Sequence, residues 1–382
     1  MRSVSQPVRA ALIGCGMIAD EYAATLADSS TITFSGCADI RNDAARAFAR
    51  RHHIPRVAAV AELLDPAETD IAVILTPPAS HADITHAGIR AGMPGIYVEK
   101  PLAASPGQAH ALTSAASEAG VLLSAAPDTI LGAPTQAAFA AIADGLLGDV
   151  VTASASYLSS GPERWHPGPE PFYAADAGPL ADMGPYYLAS LTYLLGRIES
   201  VLGAVTATRS IRTIATGPRA GQAFTARAPT HVIAVLRTET GIPVSFTASF
   251  DAAGTRAPHL EIHGSKATMV LPDPNFHTGD VLLRQANDRR WRPLQPVRPA
   301  VTPAGRGMGV LELADRLRGA RPNLACSGQA AAHVTSIIDA IYRAATPGSI
   351  TTVSPAYDPG PASTQRPIDR IPRRQSASGN GS

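Results

Sequence analysis

The tightest constraint on the fold lies within the first twenty residues. An apolar run, Val8–Ile13, stops at Gly14-Cys15-Gly16-Met17-Ile18-Ala19 and passes at once into an amphipathic stretch carrying Ile18, Tyr22 and Leu26. This reads as a strand turning on glycine into a helix. Gly14 permits the tight turn, Gly16 lets the backbone approach a ligand, and the small Ala19 lets helix and strand pack closely. The helix start, at Met17 and Ile18, then offers free N–H groups and a positive dipole end to a phosphate. Asp39 follows 23 residues after Gly16, at the end of a second strand candidate, Thr31–Ala38. Together these residues spell a dinucleotide fingerprint in its proper context. The Asp39 carboxylate would accept hydrogen bonds from the adenosine ribose and repel a 2′-phosphate, which favours NAD. Arg41, two residues on, could pair with such a phosphate and leaves NADP open.

The rest of the first third repeats the pattern. Ile71–Leu75, Gly95–Val98 and Val121–Ala125 read as three further strands, with helix signals between them. Ser80 with Asp83 reads as a capping box, and Ser105-Pro106 with Gln108 as a second helix start. Beyond Asp128 the texture changes. Val150–Leu158, Val201–Thr208, His231–Thr238, Val244–Phe250, Leu260–His263 and Val281–Arg284 read as strands of a largely antiparallel sheet. Helices are expected at about 185–195 and 328–345. A chain of 382 residues exceeds one ordinary core. The expected fold class is therefore α/β. Residues 1–127 are expected to form a doubly wound parallel sheet of Rossmann type, and 128–353 an α+β domain around the largely antiparallel sheet. Residues 354–382, rich in Pro, Ser, Gly and Arg, read as a disordered tail.

Composition excludes several classes. The net charge of +1 gives no basis for nucleic-acid or membrane-surface binding. Cys15, Cys37 and Cys326 are too scattered for a disulfide framework, and no His, Asp or Glu set has metal-ligand spacing. No membrane span or signal peptide is legible, so the expected compartment is the cytoplasm. Of 32 basic residues only Lys100 and Lys266 are lysine. Lysine, unlike arginine, can lose its proton when its surroundings lower its pKa. Lys266 falls in a turn-like Gly264-Ser265-Lys266-Ala267 and reads as a surface charge. Lys100 sits in Glu99-Lys100-Pro101 at the carboxyl end of the fourth strand, where α/β sheets bind ligands.

With the glycine motif, Thr76-Pro77-Pro78-Ala79-Ser80-His81 and Glu99-Lys100-Pro101 in their observed order, residues 7–350 resemble the glucose-fructose oxidoreductase, inositol dehydrogenase and rhizopine catabolism (Gfo/Idh/MocA) family. The resemblance implies an NAD(P)-dependent enzyme acting on a hydroxyl carbon of a sugar, cyclitol or related polyol. It places Lys100 beside nicotinamide and substrate, Thr76, Pro77 and His81 along the cofactor, and Glu99 near the nicotinamide end. It also implies a homo-oligomer, dimer or tetramer, joined through the open sheet. From the residues themselves, a partly desolvated Lys100 beside a cationic ring is expected to have a lowered pKa and to accept a proton.

Ala177-Gly178-Pro179-Leu180-Ala181-Asp182-Met183-Gly184-Pro185-Tyr186 matches a second signature of that family, Gly-Gly followed by Asp-x-Gly-x-His. Asp182 falls on the aspartate, but Tyr186 stands where histidine is usual. A phenol has a reference pKa of about 10 and needs a nearby cation to ionise; Lys100 could supply it. Asp182 would orient the pair and bind a substrate hydroxyl. Tyr187 is the neighbour that could carry the hydroxyl instead. In Glu163-Arg164-Trp165-His166-Pro167, Trp165 could stack on a sugar and His166 bind a hydroxyl, or the loop could be ordered surface or a subunit contact. Two other readings stay open: an NAD-dependent glycosidase using transient oxidation and elimination, and a non-catalytic ligand-sensing protein on the same scaffold.

Overall fold

A computed structural model describes residues 6–294, 305–345 and 350–353. The expected tail lies outside these residues. The first sheet holds β1 (Val8–Ile13), β2 (Ile32–Ala38), β3 (Ile71–Ile74), β4 (Gly95–Val98) and β5 (Leu122–Ala125). All neighbours are parallel, in the order β2-β1-β3-β4-β5. β3 and β4 are buried at every position, as continuous apolar strands covered on both faces must be. Their connections are the helices α1 (Met17–Ala27), α2 (Asn42–Arg51), α3 (Val60–Leu63), α4 (His81–Arg90) and α5 (Pro106–Glu118). The chain runs from β1 to β2 on one side and returns to β3 on the other. That reversal opens a crevice at the carboxyl ends of the strands.

Ser105 caps α5 through Gln108 N–H, as its sequence predicts. The capping box expected at Ser80 is absent: its hydroxyl turns back to Thr76 Oγ1 at 2.8 Å and to the Pro77 carbonyl. A short-range acceptor in the preceding turn wins over the helix end.

After α6 (Ala133–Ala143) comes a nine-stranded sheet. Its strands are β6 (Val150–Leu158), β7 (Ile198–Thr206), β10 (His231–Thr238), β11 (Pro243–Ser249), β12 (Leu260–Gly264), β13 (Ala267–Leu271), β14 (Leu282–Gln285), β15 (Arg292–Pro293) and β16 (Thr351–Thr352); a separate hairpin, β8 (Ile211–Thr213) and β9 (Ala223–Thr225), branches from it. The order is β15-β14-β13-β12-β6-β11-β10-β7-β16, antiparallel except for β6 with β11. The sequence reading missed β13, treating the bend at Lys266 as the end of a strand rather than a hairpin. One face of the sheet packs on α8 (Gly184–Leu195) and α10 (Gly328–Ala344) through Leu188, Leu191, Leu195, Ile337 and Ile341. The other face is open, and Val151, Leu202, Ile233 and Val235 on it are exposed.

One further helix, α9 (Met308–Leu317), also went unread, although Val310, Leu313, Ala314 and Leu317 have helical spacing. It belongs to the core of the first sheet: Val310, Leu313 and Ala314 pack with Leu12, Tyr22, Val73 and Tyr97. A Cβ at Gly309 would stand 2.5 Å from the Tyr97 ring, so the approach of α9 to β4 depends on glycine there. Asp128, fully buried, anchors this helix by accepting from Gly307 and Gly309 N–H while also binding His277 Nε2 at 3.1 Å.

Candidate active site

The nucleotide end is made largely of backbone. Gly14 has φ +101°, and a Cβ there would lie 2.6 Å from the Leu75 carbonyl carbon. A Cβ at Gly16 would meet nothing within 4 Å, so the loop presents bare backbone to open space. No side chain caps α1, which leaves its first N–H groups free, and Met17 is exposed beside them. Asp39 Oδ2 accepts from Cys15 N–H at 2.9 Å and Oδ1 from Arg41 N–H at 2.8 Å. The carboxylate thus braces the glycine loop from the end of β2. Arg41 extends into solvent, its Nε 4.0 Å from Asp39. An uncapped helix start, an unobstructed glycine and a carboxylate at the second strand end fit a dinucleotide.

Thr76 and Pro77 line the turn from β3 to α4. His81, expected along the cofactor, turns its ring into the protein instead. It is fully buried, with Nδ1 2.7 Å from the Pro101 carbonyl and Nε2 2.7 Å from the Thr76 carbonyl. It ties the Thr76 turn to the segment following Lys100.

Lys100 emerges from the end of β4. Its own N–H donates to Glu99 Oε2 at 2.6 Å, and Tyr22 Oη donates to Glu99 Oε1 at 3.0 Å. Glu99 is therefore a buried brace for the strand end. Lys100 Nζ donates to Asp182 Oδ1 at 2.9 Å and to the Asp182 carbonyl at 2.8 Å, and lies 5.3 Å from the centre of the Tyr186 ring. Asp182 closes a short turn, α7 (Pro179–Asp182), and Tyr186 stands in the first turn of α8, so the two sit on adjoining elements rather than one helix face. Asp182 does not cap α8.

Electrostatics reverse one expectation. Burial does pull the Lys100 pKa down, but the charges of Asp182, Tyr186 and Glu99 and the Asp182 hydrogen bond outweigh it, and the amine is held above the ordinary lysine value. Without a bound cation beside it, Lys100 is an ammonium. Burial also raises the Tyr186 phenol, against the opposing pull of Lys100 and Arg306.

Tyr187 faces elsewhere: its hydroxyl meets His259 Nδ1 at 2.7 Å and donates to Asp273. Trp165 and His166 form an aromatic group with Phe172 on the surface and make no described contact with Lys100, Asp182 or Tyr186. Behind that loop Glu163, Arg212, Asp251 and Tyr173 form a buried ion-pair network. Lys266 is an exposed bend residue, as read. Arg306 is the neighbour that sequence reading missed. Its guanidinium carbon lies 4.8 Å from the centre of the Tyr186 ring. Nothing local in Gly305-Arg306-Gly307 signals this, because the contact is made only when α9 returns to the first sheet. Among the described residues no cluster of His, Cys, Asp and Glu could hold a metal ion, and no helix is long and apolar enough to cross a membrane.

No curated protein matches the sequence. Solved structures do match the fold. An NAD binding oxidoreductase from Klebsiella pneumoniae is 22% identical, with a TM-score of 0.74 over 91% of this chain and 100% of that one. A levoglucosan dehydrogenase, solved with NADH and levoglucosan, is 19% identical with a TM-score of 0.75 over 91% and 100%. The WlbA dehydrogenase from Bordetella pertussis, solved with NADH and UDP-GlcNAcA, is 20% identical with a TM-score of 0.68 over 91% and 99%. Identities this low speak to fold alone. Residues 8–126 match the oxidoreductase family with an NAD-binding Rossmann fold, and residues 135–270 match the GFO/IDH/MocA C-terminal domain. Matched in both halves, this chain belongs to the GFO/IDH/MocA oxidoreductase family, and its first domain is an NAD-binding Rossmann domain.

Proposed function

We propose that this protein is a dehydrogenase that moves a hydride between the nicotinamide of NAD and a hydroxyl or keto carbon of a sugar, cyclitol or related polyol. The observation that carries this reading is the junction of Lys100, Asp182 and Tyr186 at the carboxyl end of β4, in the crevice that the glycine loop opens onto. Bound NAD supplies the hydride acceptor. The chain's own residues handle the proton. Lys100 Nζ and the Tyr186 hydroxyl would both donate to the substrate oxygen, stabilising the negative charge that builds there. In reduction, the proton reaches that oxygen from the Lys100 ammonium or from the Tyr186 hydroxyl, which Lys100 then reprotonates. In oxidation the amine must first lose its proton, and then takes the one from the hydroxyl. Asp182 fixes the Lys100 side chain through two acceptors, holding it in a single orientation. Gly14, Gly16, Met17, Ile18, Asp39, Thr76 and Pro77 would hold the dinucleotide. The solved relatives with sugar-like ligands support the substrate class. The open sheet face, with Val151, Leu202, Ile233 and Val235, would meet a second copy in a dimer or tetramer.

The test is a panel of sugars, cyclitols and glycosides incubated with NAD, following the absorbance of reduced cofactor, with Lys100→Met run in parallel. Reduced cofactor that accumulates with a polyol and vanishes in the variant supports the reading. Product release from a glycoside without accumulation of reduced cofactor would replace it with transient-oxidation glycosidase chemistry. Tight NAD binding with no turnover across the panel would favour a sensor.

A further inference from the structure

Arg306 is nine-tenths buried, its side chain 10% exposed, yet among the described residues it has no close carboxylate partner. The nearest carboxylate contact is Glu21 Oε2, 4.0 Å from Nε. NH2 is spent on a neutral group, the side-chain and main-chain oxygens of Asn275 at 2.6 and 3.2 Å. NH1 is buried and, among the described residues, meets no acceptor. The buried carboxylates nearby are already engaged: Asp128 by Gly307, Gly309 and His277, and Glu99 by Tyr22 and the Lys100 N–H. Burial disfavours the charge, and the fields of Tyr186, Asp128 and Glu99 outweigh it, yet a buried guanidinium whose N–H groups are only partly bonded is costly unless its charge serves something. What it does touch is the Tyr186 ring, 4.8 Å from its guanidinium carbon, and Lys100 Nζ lies 5.3 Å from the centre of the same ring. Two cations thus flank one phenol that the sequence offers in place of a histidine. The anionic groups bearing on that phenol are Glu99 from the end of β4 and Asp182 from α7.

We propose that Arg306 is a positioning residue for Tyr186: the fixed cation that, together with Lys100, favours the phenolate and so sets how readily this tyrosine exchanges a proton. A cation held over an aromatic face is attracted by its π electrons, and more strongly once the ring carries the negative charge of a phenolate. The two cations differ in kind. Lys100 titrates and is itself part of the proton transfer, so its charge on Tyr186 comes and goes. Arginine keeps its charge at every working pH. Arg306 therefore supplies the constant part of the field on the phenol. This inference rests on the reading of Tyr186 as a proton-exchanging group.

The test needs no substrate. A fluorinated tyrosine, whose phenol is intrinsically more acidic, is placed at position 186, and its ionisation is followed by phenolate absorbance and ¹⁹F NMR. Arg306→Gln should raise the midpoint by about one pH unit, a tenfold change in the ionisation constant, as expected for a desolvated cation on an aromatic face. Arg306→Lys, which keeps the charge, should return it to within about half a unit. Should the Gln protein fail to fold by circular dichroism, Arg306→Met of similar length replaces it. An unchanged midpoint in a folded, uncharged variant overturns the proposal. So does a raised midpoint that the Lys variant leaves uncorrected, because shape rather than charge would then be responsible. The proton-carrying role of Tyr186 is judged separately, by turnover of Tyr186→Phe; full turnover there removes that role and leaves the midpoint result standing.

Discussion

At the mouth of β1 the groups proposed to face a ligand are main-chain N–H groups and absent side chains, drawn from a few consecutive residues. At the mouth of β4 they are side chains brought in from distant stretches: Lys100, Asp182, Tyr186 and Arg306. The first region needs only the strand–turn–helix geometry to work. The second needs two domains and the return of α9 to be in register. The contrast predicts that substitutions at the two mouths should separate binding from chemistry.

The widest separation is expected for Lys100→Met. Turnover should fall about 10³- to 10⁴-fold, the scale of a lost general acid–base group, while NAD affinity measured by calorimetry stays close to wild type. Comparable losses in both would erase the distinction between the two mouths. Tyr186→Phe should cost about 10²-fold in kcat with little change in NAD affinity; a loss under threefold would leave Lys100 to carry the proton alone.

Asp39→Ala should act the other way, weakening NAD about 10- to 100-fold through lost hydrogen bonds to a charged group and sparing kcat at saturating cofactor. Because Asp39 also braces Cys15 N–H, NADP should weaken too, but less. Equal weakening of both would show that the carboxylate serves the loop and not the ribose.

Asp128→Ala probes the element that joins the two regions. It should lower unfolding stability by about 3 kcal/mol in a urea titration, because it strips a buried partner from His277 and the anchor from α9. Burial alone would raise this carboxyl, but His277, the Gly309 N–H and Arg306 hold it below the ordinary carboxylate value. Its contribution is then present above that ordinary value and is lost as pH falls through the depressed one. Wild type should lose more stability over that acidic window than the variant, which keeps the contributions of Asp20 and Asp251 but not that of Asp128.

The smallest effect is a pH slope. With the Lys100 pKa raised, oxidation of a polyol should quicken as pH rises, since the ammonium must lose its proton, while ketone reduction gains nothing from alkali. Two profiles of kcat that rise together would place the titrating group elsewhere.

Much of this was legible in advance because it is local. The parallel strands and their order of appearance, the glycine loop and Asp39 are consecutive features whose meaning does not depend on distant residues. Lys100 was legible by its strand end, and Asp182 and Tyr186 through a signature of the family. The misses are non-local. His81 looked like cofactor wall, but the carbonyls of Thr76 and Pro101 converge on its ring from two loops. Trp165 and His166, open in sequence to a sugar contact or to ordered surface, group with Phe172, a contact that spacing does not announce.

The sequence by itself determined the βαβ order, the dinucleotide turn and the lysine at a crevice strand end, because periodicity and glycine chemistry act over a few residues. Only the tertiary structure decided the charge state of Lys100, since that is a balance between burial and the carboxylates of Glu99 and Asp182. It alone brought Arg306 onto Tyr186, since no spacing in the chain records where a helix near residue 310 will dock. Electrostatic energies depend on distance and dielectric, and both exist only once the chain has packed.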